Sequence, residues 1–342
     1  SNTFIKPSVS QVGLVTSMTW MENNNATQGG GSIHVSCHYN EDSEDLEDMN
    51  EKKESDNIVS INLESIGVRD STANVRGGGA VYVQGGGANR TTKCVTNILR
   101  GAFDNNEALA TGADGGALSI VGGAYLKILS SRISNNKASG GNGAGICAKG
   151  GGTNILLEDT VVEKNEAGLG AGGVLVSSGC TGSLFGVTID KNVALKGNGG
   201  GINCVGAKSM HVRDSYIRHN EAREGYGGGI SSTGTLLLKV ETTGKGGCCA
   251  AGHSCSAEQS PCIPTLIKNN SAPFSSGGGI YASATNVVVT GLPQQAMSDS
   301  DQIAAATNPN SASKRPKRLA INQHVAIVAN EAQVGAGIFL TG

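Results

Sequence analysis

Four cysteines within fifteen positions form the densest set of reactive side chains in the sequence: Cys248, Cys249, Cys255 and Cys262, with His253 among them. Thiols this close form either disulfides or a zinc site. The vicinal pair lacks the Cys-x-x-Cys spacing typical of zinc, and the segment is rich in Gly, Ser and Pro. We therefore predict two local disulfides.

The remaining cysteines raise the total to nine and are scattered along the chain: Cys37, Cys94, Cys147, Cys180 and Cys204. An odd total leaves at least one thiol free or bonded to a partner. Cys204 falls at a position where other copies of a repeat carry aliphatic residues, so we expect it to be a small core residue.

Carboxylates are the next candidates for chemistry, because polysaccharide-cleaving enzymes use a carboxylate pair. Asp159 and Asp214 occupy equivalent repeat positions, two copies apart, with Gly186 between them. At about 4.8 Å per stacked strand they would lie about 10 Å apart, too far for a close pair. The six histidines share no repeat position. We therefore predict no catalytic residue and no metal ligand. A polysaccharide lyase or hydrolase, with its site outside these turns or on their face, remains the alternative.

Three insertions interrupt the repeats: an acidic loop at 38–58, a Cys-rich loop at 243–265 and a low-complexity basic loop at 292–322. The acidic loop is typical of a solvated segment. It lacks EF-hand spacing, so weak calcium binding is the only cofactor left open. In the basic loop, Arg315-Pro316-Lys317-Arg318 resembles a convertase site, with cleavage after Arg318 as the alternative to a plain solvated loop.

Three Asn-x-Ser/Thr sequons begin at Asn25, Asn89 and Asn269. Glycosylation at these positions would require secretion from a eukaryotic cell. Asn89 lies in a Gly-rich stretch, and Asn25 and Asn269 stand beside a repeated Asn. All three are candidate glycan sites.

The elements that carry these residues are set by a nine-fold repeat: apolar, any two residues, Asn, any one, Ala, then a small triplet and a branched aliphatic. Ser71 occupies the Asn position in the second copy. The other eight copies keep the amide: Asn24, Asn106, Asn136, Asn165, Asn192, Asn220, Asn270 and Asn330. From Asn106 to Asn220 the spacing is 30, 29, 27 and 28 residues. A regular period of this length is typical of a solenoid.

Alternation after each small triplet, as in Val174 and Val176, indicates β-strands whose inner faces stack on neighbouring turns. The 52 glycines and the β-branched positions exclude helical repeats. We predict an all-β fold: one right-handed parallel β-helix over residues 1–342, with about nine turns of about 28 residues and three strands per turn.

A stacked Asn can donate and accept hydrogen bonds along the axis, which satisfies buried amides. We expect these Asn residues to form a structural ladder and to adopt the left-handed bend themselves. The adjacent Ala keeps the corner narrow. The Gly triplets allow positive φ where the chain re-enters a sheet.

The motifs Phe103-Asp104-Asn105-Asn106 and Gly115-Gly116-Ala117-Leu118 resemble the passenger repeats of polymorphic outer-membrane adhesins. More broadly, the repeated core resembles right-handed β-helix (pectin-lyase-like) surface proteins. The resemblance implies an extracellular stalk, adhesin or filament component, and it transfers no catalytic residue.

The amino-acid composition limits the classes of binding partner that we expect. The net charge is −2, only 16% of residues are charged, and no apolar run is long enough for a membrane span, so we expect no nucleic-acid partner and no membrane span in this piece. Aromatic residues, at 4%, are too few for rows of sugar-stacking platforms. We predict a non-catalytic extracellular or cell-surface protein whose coil stacks end to end on other subunits or further turns. Surface proteins or glycans are its expected external partners.

Overall fold

A computed structural model describes residues 3–5, 15–16, 19–27, 29–37, 58–86, 93–243, 265–290, 305–307, 320–321 and 326–341. The described residues form strands and turns without a helix. Each turn of the coil passes through four parallel sheets, which we name A to D.

Sheet A contains, in spatial order, β1 (Thr3–Ile5), β5 (Ile33–Ser36), β9 (Val81–Gln84), β13 (Leu118–Val121), β17 (Ile146–Lys149), β21 (Val174–Ser177), β25 (Ile202–Val205), β29 (Ile230–Thr233), β33 (Ile280–Ser283), β39 (Ile338–Thr341) and β35 (Ala305–Thr307). Sheet B contains β2 (Val15–Thr16), β6 (Ile58–Glu64), β10 (Lys93–Leu99), β14 (Tyr125–Leu129), β18 (Asn154–Glu158), β22 (Thr181–Phe185), β26 (Ser209–Arg213), β30 (Leu238–Glu241), β34 (Val287–Thr290) and β36 (Ala320–Ile321).

Sheet C contains β3 (Thr19–Glu22), β7 (Ile66–Arg69), β11 (Ala102–Asp104), β15 (Arg132–Ser134), β19 (Val161–Glu163), β23 (Thr188–Asp190), β27 (Tyr216–Arg218), β31 (Leu266–Lys268) and β37 (Ala326–Val328). Sheet D contains β4 (Asn25–Ala26), β8 (Thr72–Ala73), β12 (Glu107–Ala108), β16 (Lys137–Ala138), β20 (Glu166–Ala167), β24 (Val193–Ala194), β28 (Glu221–Ala222), β32 (Ser271–Ser276) and β38 (Glu331–Val334).

The prediction of an all-β parallel β-helix is confirmed, since strands of successive turns pair in parallel throughout these sheets. The expectation of three strands per turn is wrong. A fourth sheet, D, follows each repeated Asn. Most of its strands are only two residues long, because pairing ends just after the buried Ala column.

The interior is filled by the repeated apolar positions in register. Phe103 of sheet C pairs with Val68 and Ile133, and Leu118 of sheet A pairs with Val81 and Ile146. All of these side chains are buried in one continuous core. Because a single turn leaves its apolar face open, each turn depends on its neighbours for burial.

Left-handed backbone conformations recur at the corners. At the C–D corner the residue with positive φ is the one before the repeated Asn, as in Asn135, Lys164 and His219, with φ of 56°, 54° and 53°. The expectation that the ladder Asn itself adopts this bend is therefore wrong. The preceding residue adopts the left-handed backbone conformation, and its side chain lies outside the core. The side chain of the repeated Asn therefore points inward.

The small triplets meet two requirements. Gly227 has φ of 68°, and a Cβ there would lie 2.3 Å from the carbonyl oxygen of Ile230. At Gly228 a Cβ would lie 2.3 Å from the carbonyl oxygen of Ser271 in the next turn. The first position thus needs glycine for its conformation, and the second for the close approach of the neighbouring turn.

The basic insertion contributes two short strands. β35 pairs with β39 in sheet A, and β36 pairs with β34 in sheet B. β39 therefore lies between β33 and β35, although β35 precedes it in the chain.

Candidate functional site

The repeated Asn residues line the inside of the C–D corner. The backbone N–H and Nδ2 of Asn136 both donate to Oδ1 of Asn165, at 2.9 Å each, and Nδ2 also donates to the carbonyl of Phe103 at 3.1 Å. The same pattern continues through successive turns to Asn330. In the second copy Ser71 replaces the amide, and its backbone N–H still donates to Asn106 Oδ1 at 3.1 Å.

A second ladder, made of hydroxyls, lines the B–C corner. Ser131 Oγ accepts from the Gly101 N–H at 2.9 Å, and Ser215 Oγ accepts from the Val187 N–H at 3.1 Å. Sequence reasoning missed this ladder. Its signal was present, because Ser131, Thr160, Ser215 and Thr265 each stand five residues before a repeated Asn.

Connections between sheets D and A cover the outer face of sheet A. We define each D–A connection as the residues between the repeated Ala and the first aliphatic residue of the next sheet A strand. Ala171 of one connection packs against the outward side chains of Cys147 and Leu175, all three of which are buried. The outer face of sheet A is thus partly enclosed along this edge.

Polar side chains link the D–A connections to one another. Asp114 Oδ1 accepts from the backbone N–H of Asn142 at 2.6 Å, and Asn142 Oδ1 accepts from the Gly170 N–H at 2.8 Å. Lys149 of sheet A forms an ion pair with the Asp114 carboxylate. Farther along, Tyr226 stacks on Tyr281 with ring centroids 4.5 Å apart. The connections therefore form an ordered edge.

This edge exposes apolar side chains at intervals along the coil. Of the nine large apolar side chains that are exposed among the described residues, six lie in D–A connections: Val75, Leu109, Leu169, Tyr226, Phe274 and Val334. We call this set the lateral apolar row. Its members belong to different turns, so they follow the axis of the coil.

Cys37 and Cys94 form a disulfide between consecutive turns. Cys37 precedes the acidic insertion, and Cys94 pairs with Val59, just beyond that insertion. The disulfide indicates a non-reducing environment. Sequence analysis did not pair these two cysteines, because their neighbourhood depends on how turns stack across the acidic insertion.

Three thiols are free and buried: Cys147, Cys180 and Cys204. Burial raises the pKa of Cys180 to about 11 and that of Cys204 to about 12. Burial, followed by the charge of Asp114, raises the pKa of Cys147 well above its ordinary value. These thiols are therefore protonated at neutral pH and are poor nucleophiles. The predicted disulfide partners Cys248, Cys249, Cys255 and Cys262 lie outside the described residues.

The two candidate carboxylates are held separately. Asp214 accepts from Thr243, through the backbone N–H at 2.8 Å and the hydroxyl at 2.7 Å. Asp159 packs over Gly186, where a Cβ would lie 2.6 Å from its Oδ1. Elsewhere, Asp190 Oδ1 lies 2.9 Å from His219 Nδ1. Across the described part of the chain, no three His, Cys, Asp or Glu side chains are grouped to hold a metal ion.

No family model, curated protein or solved structure matches this chain. None of the described segments forms a helix long and apolar enough to span a membrane.

Two glycosylation candidates are described. Asn25 is exposed in β4, where its Oδ1 accepts from Asn74 at 2.7 Å, and Asn269 is exposed at the C–D corner, where its Nδ2 lies 3.1 Å from His219 Nε2. Asn89, Arg318 and residues 38–57 of the acidic insertion lie outside the described residues, so those predictions remain predictions.

Proposed function

We propose that this chain is a non-catalytic extracellular protein with a structural and adhesive role, which forms a rigid rod in a surface appendage, filament or cell-surface layer. The observation that carries the proposal is the amide ladder from Asn106 to Asn330. Each internal Asn in it donates to the Asn of the next turn and to a carbonyl of the preceding turn. Such a ladder ties every turn to two neighbours, which resists bending and local opening.

The extracellular setting is supported by the Cys37–Cys94 disulfide, because disulfides persist in oxidising compartments. The exposed sequons at Asn25 and Asn269 are compatible with the same setting. The disulfide is expected of a secreted or surface-exposed protein, and glycans on these sequons would identify the secreting cell as eukaryotic.

The lateral apolar row supports the adhesive half of the proposal. Exposed apolar side chains that recur on one edge of a monomer are typical of contact surfaces. End-to-end stacking on other subunits or further turns would add a second contact, because a β-helix end presents unpaired strand edges. The rod would thus associate lengthwise through its ends and sideways through this row.

Cryo-electron microscopy of the native, unfractionated assembly tests the proposal. We expect coils that continue into further turns or abut other subunits, with the edge of the D–A connections against a neighbour. Isolated, capped rods with a groove of clustered carboxylates would contradict it and favour a polysaccharide lyase or hydrolase.

A further inference from the structure

Trp20 is the only tryptophan of the chain, and it lies on the outer face of sheet C with 60% of its surface exposed. A Cβ at its paired residue Gly67 would lie 2.2, 2.4 and 2.5 Å from Cε3, Cζ3 and Cδ2 of the indole. Three ring atoms at nearly equal distance place one face of the ring flat over Gly67. The other face is therefore available to a ligand.

Small residues continue the surface beneath and beside the indole. Trp20 pairs with Gly67, Gly67 with Ala102, and Ala102 with Arg132. Gly67 is buried under the ring, although it is on the outer face of the sheet. Ala102 adds one methyl group before the longer Arg132 begins. We call the surface formed by Trp20, Gly67 and Ala102 the Trp20 shelf.

Charged side chains border the Trp20 shelf on the same face. Glu22 and Arg69 form an ion pair at 2.6 Å, and the Arg69 guanidinium carbon lies 5.7 Å from the indole centroid. Asp104 pairs with Arg69 across neighbouring strands of sheet C. Arg132 forms an ion pair with Glu163. The border thus presents guanidinium donors and carboxylate acceptors, and its three carboxylates and two guanidinium groups give it a net charge of −1.

We propose that the Trp20 shelf binds a neutral sugar ring of a β-linked glycan. The axial C–H groups of a gluco-configured pyranose are weakly positive and fit the negative face of an indole. Its equatorial hydroxyls project sideways, where arginines donate and carboxylates accept hydrogen bonds. The site supplies a ligand class for the adhesive role and rests on the proposed function for its extracellular setting.

The charge balance excludes two other stacking ligands. A nucleic acid base would also stack on the indole, but its phosphates would meet more carboxylates than guanidinium groups. A uronate or sulfated sugar meets the same repulsion. A row of aromatic platforms is not required, because one fixed indole with a polar border is enough to orient one sugar ring.

The chain contains its own reporter, since any fluorescence of tryptophan comes from Trp20. We would titrate the full chain with cellohexaose and, separately, with the hexamer of N-acetylglucosamine, following emission and binding heat. We expect a saturable emission change with at least one of them. The two arms distinguish a plain glucose ligand from an acetamido sugar.

Three variants assign the binding. Trp20→Ala should weaken binding by about tenfold or more, measured by calorimetry. Gly67→Val should weaken it comparably while keeping the tryptophan, because the new side chain displaces the ring. Leu236→Ala is the control, since it removes an apolar side chain that is 66% exposed and lies outside both sheet C and the lateral apolar row. Circular dichroism checks that each variant folds.

The proposal is overturned if neither hexasaccharide gives a saturable change, if Trp20→Ala binds as tightly as the parent, or if a heparin hexasaccharide binds more tightly than both neutral probes. Its failure is separate from that of the rod. Continuous coils in micrographs together with no sugar binding in the titration would contradict only the Trp20 shelf proposal. Sugar binding by a protein that forms only isolated rods would contradict only the filament proposal.

Discussion

The hydroxyl of Ser32 lies 2.9 Å from the hydroxyl of Ser71, at the one point where the described Asn column carries no amide. Ser32 Oγ also accepts from Asn24 Nδ2 at 3.0 Å. Ser32 holds the third position of its small triplet, where other turns carry Gly or Ala. Two serines thus replace one asparagine, with the larger triplet residue filling the space left by the smaller column residue.

Compensation between these serines is testable. Ser71→Asn alone should destabilise the protein by about 1–3 kcal/mol, because the amide meets the Ser32 hydroxyl. Ser32→Ala alone should cost about 1–2 kcal/mol, because Asn24 loses that acceptor. The double variant should unfold close to the parent or later. Denaturant midpoints of all four proteins give the coupling energy, and strictly additive effects would refute the compensation.

Removing one amide from the uninterrupted ladder should be costly. In Asn165→Ala the buried N–H and Nδ2 groups of Asn136 lose their shared acceptor, so we expect a loss of about 2–4 kcal/mol. Asn97→Ala is the matched control, because its Nδ2 donates to Asn62 on the exposed surface. That change should cost less than about 0.5 kcal/mol. Equal losses in thermal or denaturant unfolding would mean that burial of the amide is unimportant.

Cysteine labelling should divide the five described cysteines into two classes. In the native protein, alkylation should leave Cys147, Cys180 and Cys204 unmodified, because they are buried and protonated. In denaturant without reductant these three should react, while Cys37 and Cys94 react only after reduction. Peptide mapping by mass spectrometry reads each site. Native labelling of Cys204 would contradict the packing of the core.

His211 should make the protein less stable in acid. Burial, followed by the charge of Lys239, lowers its pKa from the ordinary 6.5; Glu241 acts in the opposite direction and Arg213 reinforces the lowering. Its Nε2 is buried without a hydrogen-bond partner among the described residues. The unfolded chain therefore binds a proton more readily, and stability falls as the pH drops from about 6.5 through the lower native pKa.

His211→Gln removes this proton uptake. Urea midpoints measured between about pH 7.5 and about pH 5 should fall less steeply for the variant than for the parent. Identical slopes would show that His211 titrates alike in the folded and unfolded chains.

Local periodicity was sufficient to predict the coil. The Phe103, Ala108 and Leu118 columns are inward positions whose residue types are restricted in every turn by the same contacts. The positive φ was expected at the repeated Asn136, because asparagine tolerates a left-handed backbone, whereas the structure places it at Asn135. Only the backbone shows which of them bends.

Contacts between neighbouring turns that are separated in sequence by an insertion were not predictable. Cys37 and Cys94 are 57 residues apart, and Trp20 meets Gly67 across the acidic insertion. Both contacts depend on the register of turns separated by inserted segments, and the repeat does not fix how much chain each insertion removes from the stack. The Trp20 shelf therefore becomes visible only in the assembled sheet.

The disulfide and the missing amide fall on the same turns. Cys37 precedes Ser71 in the chain and Cys94 follows it, so the covalent bond spans the turn that lacks its ladder asparagine. Pulled along its length, the coil would be held by hydrogen bonds that re-form after each excursion. At this joint a covalent bond adds to the hydrogen bonds, and under tension it holds until it is chemically cut and does not re-form by itself afterwards.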